Sequence, residues 1–269
     1  MGTFAFKGVA FDVDGTLLTS ENRVSTRMRE TCRHLVNTGV WLTVASARPP
    51  RSVLQIAEAI GAQGPLCALN GAVIVAREGS ILSRESLDRS LAAKLIARFV
   101  DDPGISLNVY SGTEWLVPRL DARILDEAAI VGFGPTLRSD FAGVGDVEKI
   151  MLITDATTAA SLVEELGTQP DMMTVSRSKP GYVEVSPPGV DKGRRLEVAA
   201  RHAGLSLAEV VACGDGENDL TMLSRAGYGI ALGHAPAGLR AVANQIVGSN
   251  DDDSLADALM ALFTTPASS

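Results

Sequence analysis

Aromatic residues make up only 4% of this 269-residue chain, and histidine and cysteine occur three times each. Cys32, Cys67 and Cys213 form an odd, scattered set, with Cys67 and Cys213 inside apolar runs. Neither a disulfide framework nor a cysteine metal site is expected, and these read as reduced core residues. His34, His202 and His234 show no metal-ligand spacing either, so structural or surface roles are expected for all three. No apolar run approaches the ~18 residues of a membrane helix. A basic segment followed by a long apolar core is also missing at the N-terminus, so no membrane span and no signal peptide are expected. Positive charge is in deficit: 24 Lys and Arg against 32 Asp and Glu leave a net charge of −8. That balance argues against a nucleic-acid surface and suits a cytoplasmic protein.

What the chain does have is ordinary globular material, 46% hydrophobic and 21% charged, in a length that suits one large domain or two smaller ones. Its most informative stretch is Gly8-Val9-Ala10-Phe11-Asp12-Val13-Asp14-Gly15-Thr16-Leu17-Leu18. Val9 to Phe11 reads as a buried parallel strand, and Gly15 as a tight turn leaving it. Asp12 and Asp14, one residue apart at the carboxyl end of such a strand, lie where open α/β sheets keep their sites. Residues i and i+2 of an extended segment share a face, so both acids can address one ligand. Their mutual repulsion calls for a counter-charge, and a hard cation with oxygen ligands supplies it.

The rest of the chain alternates in the same way at both ends. Ser25 to Asn37 reads as a helix capped by Ser25, Val40 to Ala45 as a strand, Arg51 to Ile60 as a helix, and Leu66 to Leu69 as a strand. Short links between them imply a parallel sheet with right-handed crossovers. From about Val73 to Ser186 strand-like runs predominate: 73–76, 105–110, 114–117, 150–154, 172–176 and 182–186. Helical periodicity shows at 87–100 and 158–166, and three helices at most among six strands make this part read as an inserted α+β layer with a largely antiparallel sheet. From Asp191 the first rhythm returns. The expectation is an α/β fold with a parallel-sheet core from residues 1–75 and 187–269 and an inserted domain from 76–186. Two chain crossings between them would make a hinge.

Polar residues follow strands or open helices at Asp12/Asp14, Ser46, Lys192 and Asp215/Asn218/Asp219. Singly, each has a plain explanation: Ser46 could cap a helix, and Gly214-Asp215-Gly216 could be only a loop. Lys192 at a helix start opposes the macrodipole and invites another reason. Jointly they place four acids, one ammonium and one hydroxyl at one sheet edge, which fits a cation together with a phosphate.

Asp12-x-Asp14-Gly15-Thr16-Leu17-Leu18, Ser46-Ala47-Arg48-Pro49, Asn70-Gly71-Ala72, Gly189-Val190-Asp191-Lys192-Gly193 and Gly214-Asp215-Gly216-x-Asn218-Asp219-x-x-Met222 resemble the ordered motifs of the haloacid dehalogenase superfamily. Within it they are similar to the Cof-type sugar phosphatases with a cap of type C2B, and the gap from Asn70 to Asp191 is where that subfamily carries its cap. The resemblance implies a Rossmann-like core and a Mg²⁺-dependent phosphatase, Mn²⁺ serving as an alternative, that acts on a small phosphorylated metabolite. It implies that Asp12 is the nucleophile and Asp14 the acid and base. Asp12, the Asp14 carbonyl and Asp215 would hold the metal, with Asp219 orienting that site from behind. Val13, Ser46, Ala47, Lys192 and Asn218 would hold the phosphoryl group. Arg48 and Asn70 on core loops, and Asn108, Tyr110, Trp115 and Arg119 in the cap, are the candidates for leaving-group contact. Packing of Tyr110 and Trp115 within the cap is an equal alternative. A monomer or small homo-oligomer is expected, with neither nucleic acid nor membrane as partner. Two departures stand out: Ser46-Ala47-Arg48 replaces Thr-Gly-Arg, and His234 stands where the family more often has asparagine. A phosphohexomutase, or a non-catalytic phosphoacceptor or binding protein, stays open as an alternative.

Overall fold

The computed structural model describes residues 6–264, and the chain divides into two compact units. The first comprises Met1–Ala47, Val53–Leu82 and Asp191–Ser269, the second Arg48–Ser52 and Ser83–Val190. In chain order the elements begin with β1 (Gly8–Phe11), α1 (Thr26–Asn37), β2 (Trp41–Val44), α2 (Pro50–Ile60), β3 (Leu66–Ala68), β4 (Val73–Val75) and β5 (Ile81–Arg84). They continue with α3 (Arg89–Phe99), β6 (Ser106–Ser111), β7 (Glu114–Val117), α4 (Ala122–Val131), β8 (Thr136–Leu137), β9 (Lys149–Ile153), α5 (Ala156–Leu166), β10 (Thr174–Ser176) and β11 (Tyr182–Ser186). The chain closes with α6 (Lys192–His202), β12 (Val210–Gly214), α7 (Leu220–Arg225), β13 (Tyr228–Ala231), α8 (Ala237–Val242), β14 (Gln245–Ile246) and α9 (Ser254–Thr264).

The first unit is built on a five-stranded parallel sheet in the order β14-β13-β12-β1-β2. β1 lies between the two sequence halves, Gly8 opposite Val210 on one side and Trp41 on the other. Its residues are buried on both faces, as a central parallel strand requires, and this explains the unbroken apolar run Val9-Ala10-Phe11. Ser25 caps α1 as expected, its hydroxyl accepting from the Met28 amide at 3.0 Å. α6 carries Leu196, Ala199 and Ala200 into the same core as Ala10, Ala212 and Met222.

The second unit carries a six-stranded sheet, β10-β11-β9-β6-β7-β8, antiparallel except at β7–β8. Leu107, Val109, Ile150, Leu152, Val183 and Val185 form one apolar face and pack with Leu95, Phe99 and Leu162 of α3 and α5. The alternate residues Asn108, Tyr110, Lys149 and Glu184 point the other way and are buried as well. Two elements differ from the sequence reading. No element was named over α4, which Asp121 caps through the Ile124 amide at 3.0 Å. β5 was not expected, because most of its residues are exposed and leave no apolar alternation.

All three cysteines are free and buried, and burial pushes the thiols of Cys32 and Cys67 up to about 12. No helix among the described residues is long and apolar enough to cross a membrane. One close approach sets where the α6 N-terminus sits. A Cβ on Gly193 would fall inside van der Waals contact of the Thr221 carbonyl, so α6 and α7 meet backbone to backbone there. Gly193→Ala is therefore expected to lower unfolding free energy by about 1–3 kcal/mol, the usual cost of overpacking. Urea denaturation of the two proteins checks this, and an unchanged midpoint would show that the helices slide apart freely.

Candidate active site

The site lies wholly within the first unit, at the carboxyl ends of β1, β2 and β12. β1 hands the chain to Asp12, whose amide donates to the Cys213 carbonyl at 2.9 Å and so ties the loop to β12. The Val13 carbonyl then accepts from the Thr16, Leu17 and Leu18 amides at 3.4, 3.1 and 2.9 Å, which folds the motif into a tight turn. Gly15 has φ 81, and a Cβ there would collide with the Asp215 carboxylate. Glycine at this position is thus what lets the first and last motifs touch. Beside it, the Thr16 hydroxyl donates to Asp215 Oδ1 at 2.6 Å.

Lys192 is the first residue of α6 after the Asp191 cap, and it is 1% exposed. Its Nζ lies 2.5 Å from Asp12 Oδ1 and 2.6 Å from Asp219 Oδ1. These partners are the reason a lysine stands at a helix start. Asp219 is fully buried and also accepts from the Asp215 and Gly216 amides through Oδ2, at 3.0 and 2.9 Å. Burial, with Asp219 and Asp215 adding to it and Lys192 opposing it, holds the Asp12 carboxyl well above its usual range. Burial works against the charge of Lys192, but Asp12 and Asp219 outweigh it and raise its pKa above the ordinary lysine value.

Ser46 follows β2, buried, with its amide donating to the Cys67 carbonyl at 2.9 Å and its own carbonyl accepting from the Asn70 amide at 2.8 Å. Among the described residues, the non-glycine positions with positive φ are Asn22, Leu69 and Asn70, so Ala47 fits where the family pattern has glycine. Leu69, Asn70 and Gly71 follow one another with φ 53, 58 and 98. Asn70 accepts from Asn218 Nδ2 through Oδ1 at 3.1 Å, and Asn218 is exposed. Asp14 is exposed too, and Val13 is buried.

The structure thus brings together Asp12, Asp215, Asp219 and Lys192, and joins Asn70 to Asn218. The candidates from the second unit differ in character. Tyr110 and Trp115 are 1% and 2% exposed, and their rings stack at 6.1 Å in the interior of the second unit. Trp115 Nε1 donates to Asn108 Oδ1 at 2.9 Å, and Arg119 is committed to the carbonyls of Val100, Asp102 and Ile105. These side chains pack and brace the second unit, which for Tyr110 and Trp115 is the packing alternative that the sequence left open. Arg48 is also buried, donating to Ser52 Oγ at 3.3 Å and to the Ile130 carbonyl at 3.0 Å. Sequence reasoning assigned no role to Thr16, although it quoted the residue, nor to the buried Arg195, whose Nε donates to the Gly71 carbonyl at 2.8 Å. His234 was expected to be structural or on the surface, and its Nε2 lies 3.2 Å from Asp215 Oδ2.

Asp12, Asp215 and Asp219 each offer a carboxylate oxygen within 4.8 Å of the others. Three carboxylates with one ammonium leave excess negative charge, and an all-oxygen donor set suits a hard divalent cation. The residues therefore fit a metal of the Mg²⁺ or Mn²⁺ kind.

A family model described as haloacid dehalogenase-like hydrolase matches residues 9–259. A Cronobacter sakazakii protein named HMP-PP phosphatase is 32% identical over 232 residues, covering 84% of each chain. Phosphatase YwpJ of Bacillus subtilis is 25% identical over 282 residues, which cover 93% of this chain and 97% of that one. Among solved structures, a haloacid dehalogenase-like hydrolase from Bacteroides thetaiotaomicron superposes with a TM-score of 0.87 at 30% identity, covering 96% of this chain and all of the other.

The buried triad generates a stability prediction. Lys192→Met leaves Asp12 and Asp219 facing each other without a counter-charge, and breaking such a pair costs about 3–5 kcal/mol. Urea unfolding in metal-free buffer should show that loss, and added Mg²⁺ should recover part of it. A variant as stable as the parent would mean that the ammonium contributes no net stabilisation.

Proposed function

The chain belongs to the haloacid dehalogenase-like hydrolase family, and from that premise we propose that it is a phosphatase that hydrolyses a small phosphorylated metabolite through an aspartyl-phosphate on Asp12. The metabolite in this reading is a sugar phosphate or a molecule of similar size, and the relatives named as phosphatases support the reaction class. The observation that carries this reading is the Lys192 ammonium held between Asp12 and Asp219 beside Asp215. Segments 1–75 and 187–269 form the catalytic core in this reading, and 76–186 the inserted cap.

An Asp12 carboxylate oxygen attacks phosphorus in line with the ester oxygen. The new O–P bond forms as the bond to the leaving group breaks, and Asp14 gives its proton to the departing oxygen. Asp14 then takes a proton from water, whose oxygen attacks the same phosphorus. The bond to Asp12 breaks, and inorganic phosphate leaves. Mg²⁺ or Mn²⁺ on Asp12, the Asp14 carbonyl and Asp215 would keep Asp12 ionised and draw charge from a phosphoryl oxygen. Asp219 has both oxygens engaged by Lys192 and by the Asp215 and Gly216 amides, which supports an orienting role for it. The remaining phosphoryl oxygens are held by the Ser46 hydroxyl, the Val13 and Ala47 amides, Lys192 and Asn218. Asn70, joined to Asn218, is the better leaving-group contact, whereas Arg48 would first have to give up its buried partners.

Phosphate release from p-nitrophenyl phosphate and from a panel of sugar phosphates tests the proposal. Activity should vanish in EDTA and return with Mg²⁺ or Mn²⁺. Asp12→Asn should lower kcat/KM by about a thousandfold or more, with circular dichroism unchanged. Substantial turnover by Asp12→Asn, shown by mass spectrometry to be free of deamidation, would sink the covalent route.

A further inference from the structure

We propose that His234 is a positioning residue for Asp215: its Nε2–H holds one oxygen of that carboxylate and thereby sets how tightly the site binds a divalent cation. The inference rests on the reading of Asp215 as a metal ligand given above. It starts from a carboxylate with a separate partner on each oxygen. Thr16 Oγ1 donates to Oδ1 at 2.6 Å, and His234 Nε2 lies 3.2 Å from Oδ2. A single donor fixes one oxygen and leaves the group free to rotate about Cβ–Cγ. Two donors, one per oxygen, fix its plane, so a cation meets a ligand already ordered and the cost of ordering it falls away.

The backbone delivers His234 rigidly. Leu232, just past β13, donates to the Gly214 carbonyl at 3.1 Å, Gly233 to the Gly248 carbonyl at 2.7 Å, and Ala235 back to Leu232 at 3.0 Å. The imidazole itself is 43% exposed, so solvent could satisfy it, and it turns to Asp215 instead. Facing an acceptor oxygen, Nε2 must carry the proton, which makes the ring a donor there and not a ligand. Asparagine carries its donor on a shorter stem than the histidine Nε2, so it is the variant that probes this reach.

Manganese binding to the full chain, read from the EPR signal of free Mn²⁺, tests the proposal without reference to turnover. His234→Ala and His234→Asn should each weaken Mn²⁺ binding about tenfold, and His234→Gln, whose amide nitrogen reaches about as far as Nε2, should recover most of it. The Mg²⁺ concentration for half-maximal p-nitrophenyl phosphate hydrolysis should shift by the same factor. Unfolding midpoints in chelator, equal to the parent's, exclude a loss of fold as the cause. Parental affinity in His234→Ala, or a glutamine variant no better than alanine, overturns the inference. Asp215→Ala separates the two levels. If it also binds Mn²⁺ like the parent, the metal assignment falls; if it alone loses binding, only the role of His234 does.

Discussion

An ammonium closed off from water between two carboxylates dictates where much of the first unit must go. Each of these ions would cost several kcal/mol to bury alone, so their mutual placement is tightly constrained. Asp12 comes from the end of β1, Asp219 from the turn after β12, and Lys192 from the start of α6. Pairing of β1 with β12 places the two acids on neighbouring strand ends. The Asp191 cap starts α6 at Lys192, and the bare backbone of Gly193 lets that helix sit against α7. The charge cluster and the helix packing are therefore one constraint seen from two sides.

The backbone near the site is held with similar strictness. Leu69 and Asn70 both occupy left-handed conformations, which cost on the order of 1–2 kcal/mol for such residues. They persist because the Asn70 amide is taken by the Ser46 carbonyl and the Gly71 carbonyl by Arg195. The outcome is an Asn70 carboxamide oriented on Asn218, and a Ser46 carbonyl that is not left without a donor.

Much of the first unit was legible in the sequence because its central strands are apolar without interruption and its helices carry their own caps. The acidic motifs were legible because they stand at strand ends, where nothing apolar hides them. Other features left no such trace. β5 presents exposed residues that mimic a loop, and α4 interrupts its apolar stripe with the buried Glu127. Tyr110 and Trp115 show a polar tip in the sequence, but their burial depends on pairing across β6 and β7. The approach of His234 to Asp215 joins two loops through adjacent strands, a proximity that spacing along the chain does not encode.

The pairing of β1 with β12 joins segments as far apart as Lys7 and Glu209, which are 202 residues distant. Closing so long a loop is thermodynamically mild, since each doubling of its length adds only about 0.6 kcal/mol. In time it matters more. Residues 83–190 carry a sheet whose strands all lie within that one continuous stretch, so on the ribosome it can form as soon as it emerges. β1 and β2 must wait, one apolar edge uncovered, until β12 is synthesised. During that interval the early strands present an unpaired edge, the kind of surface that invites pairing with another chain.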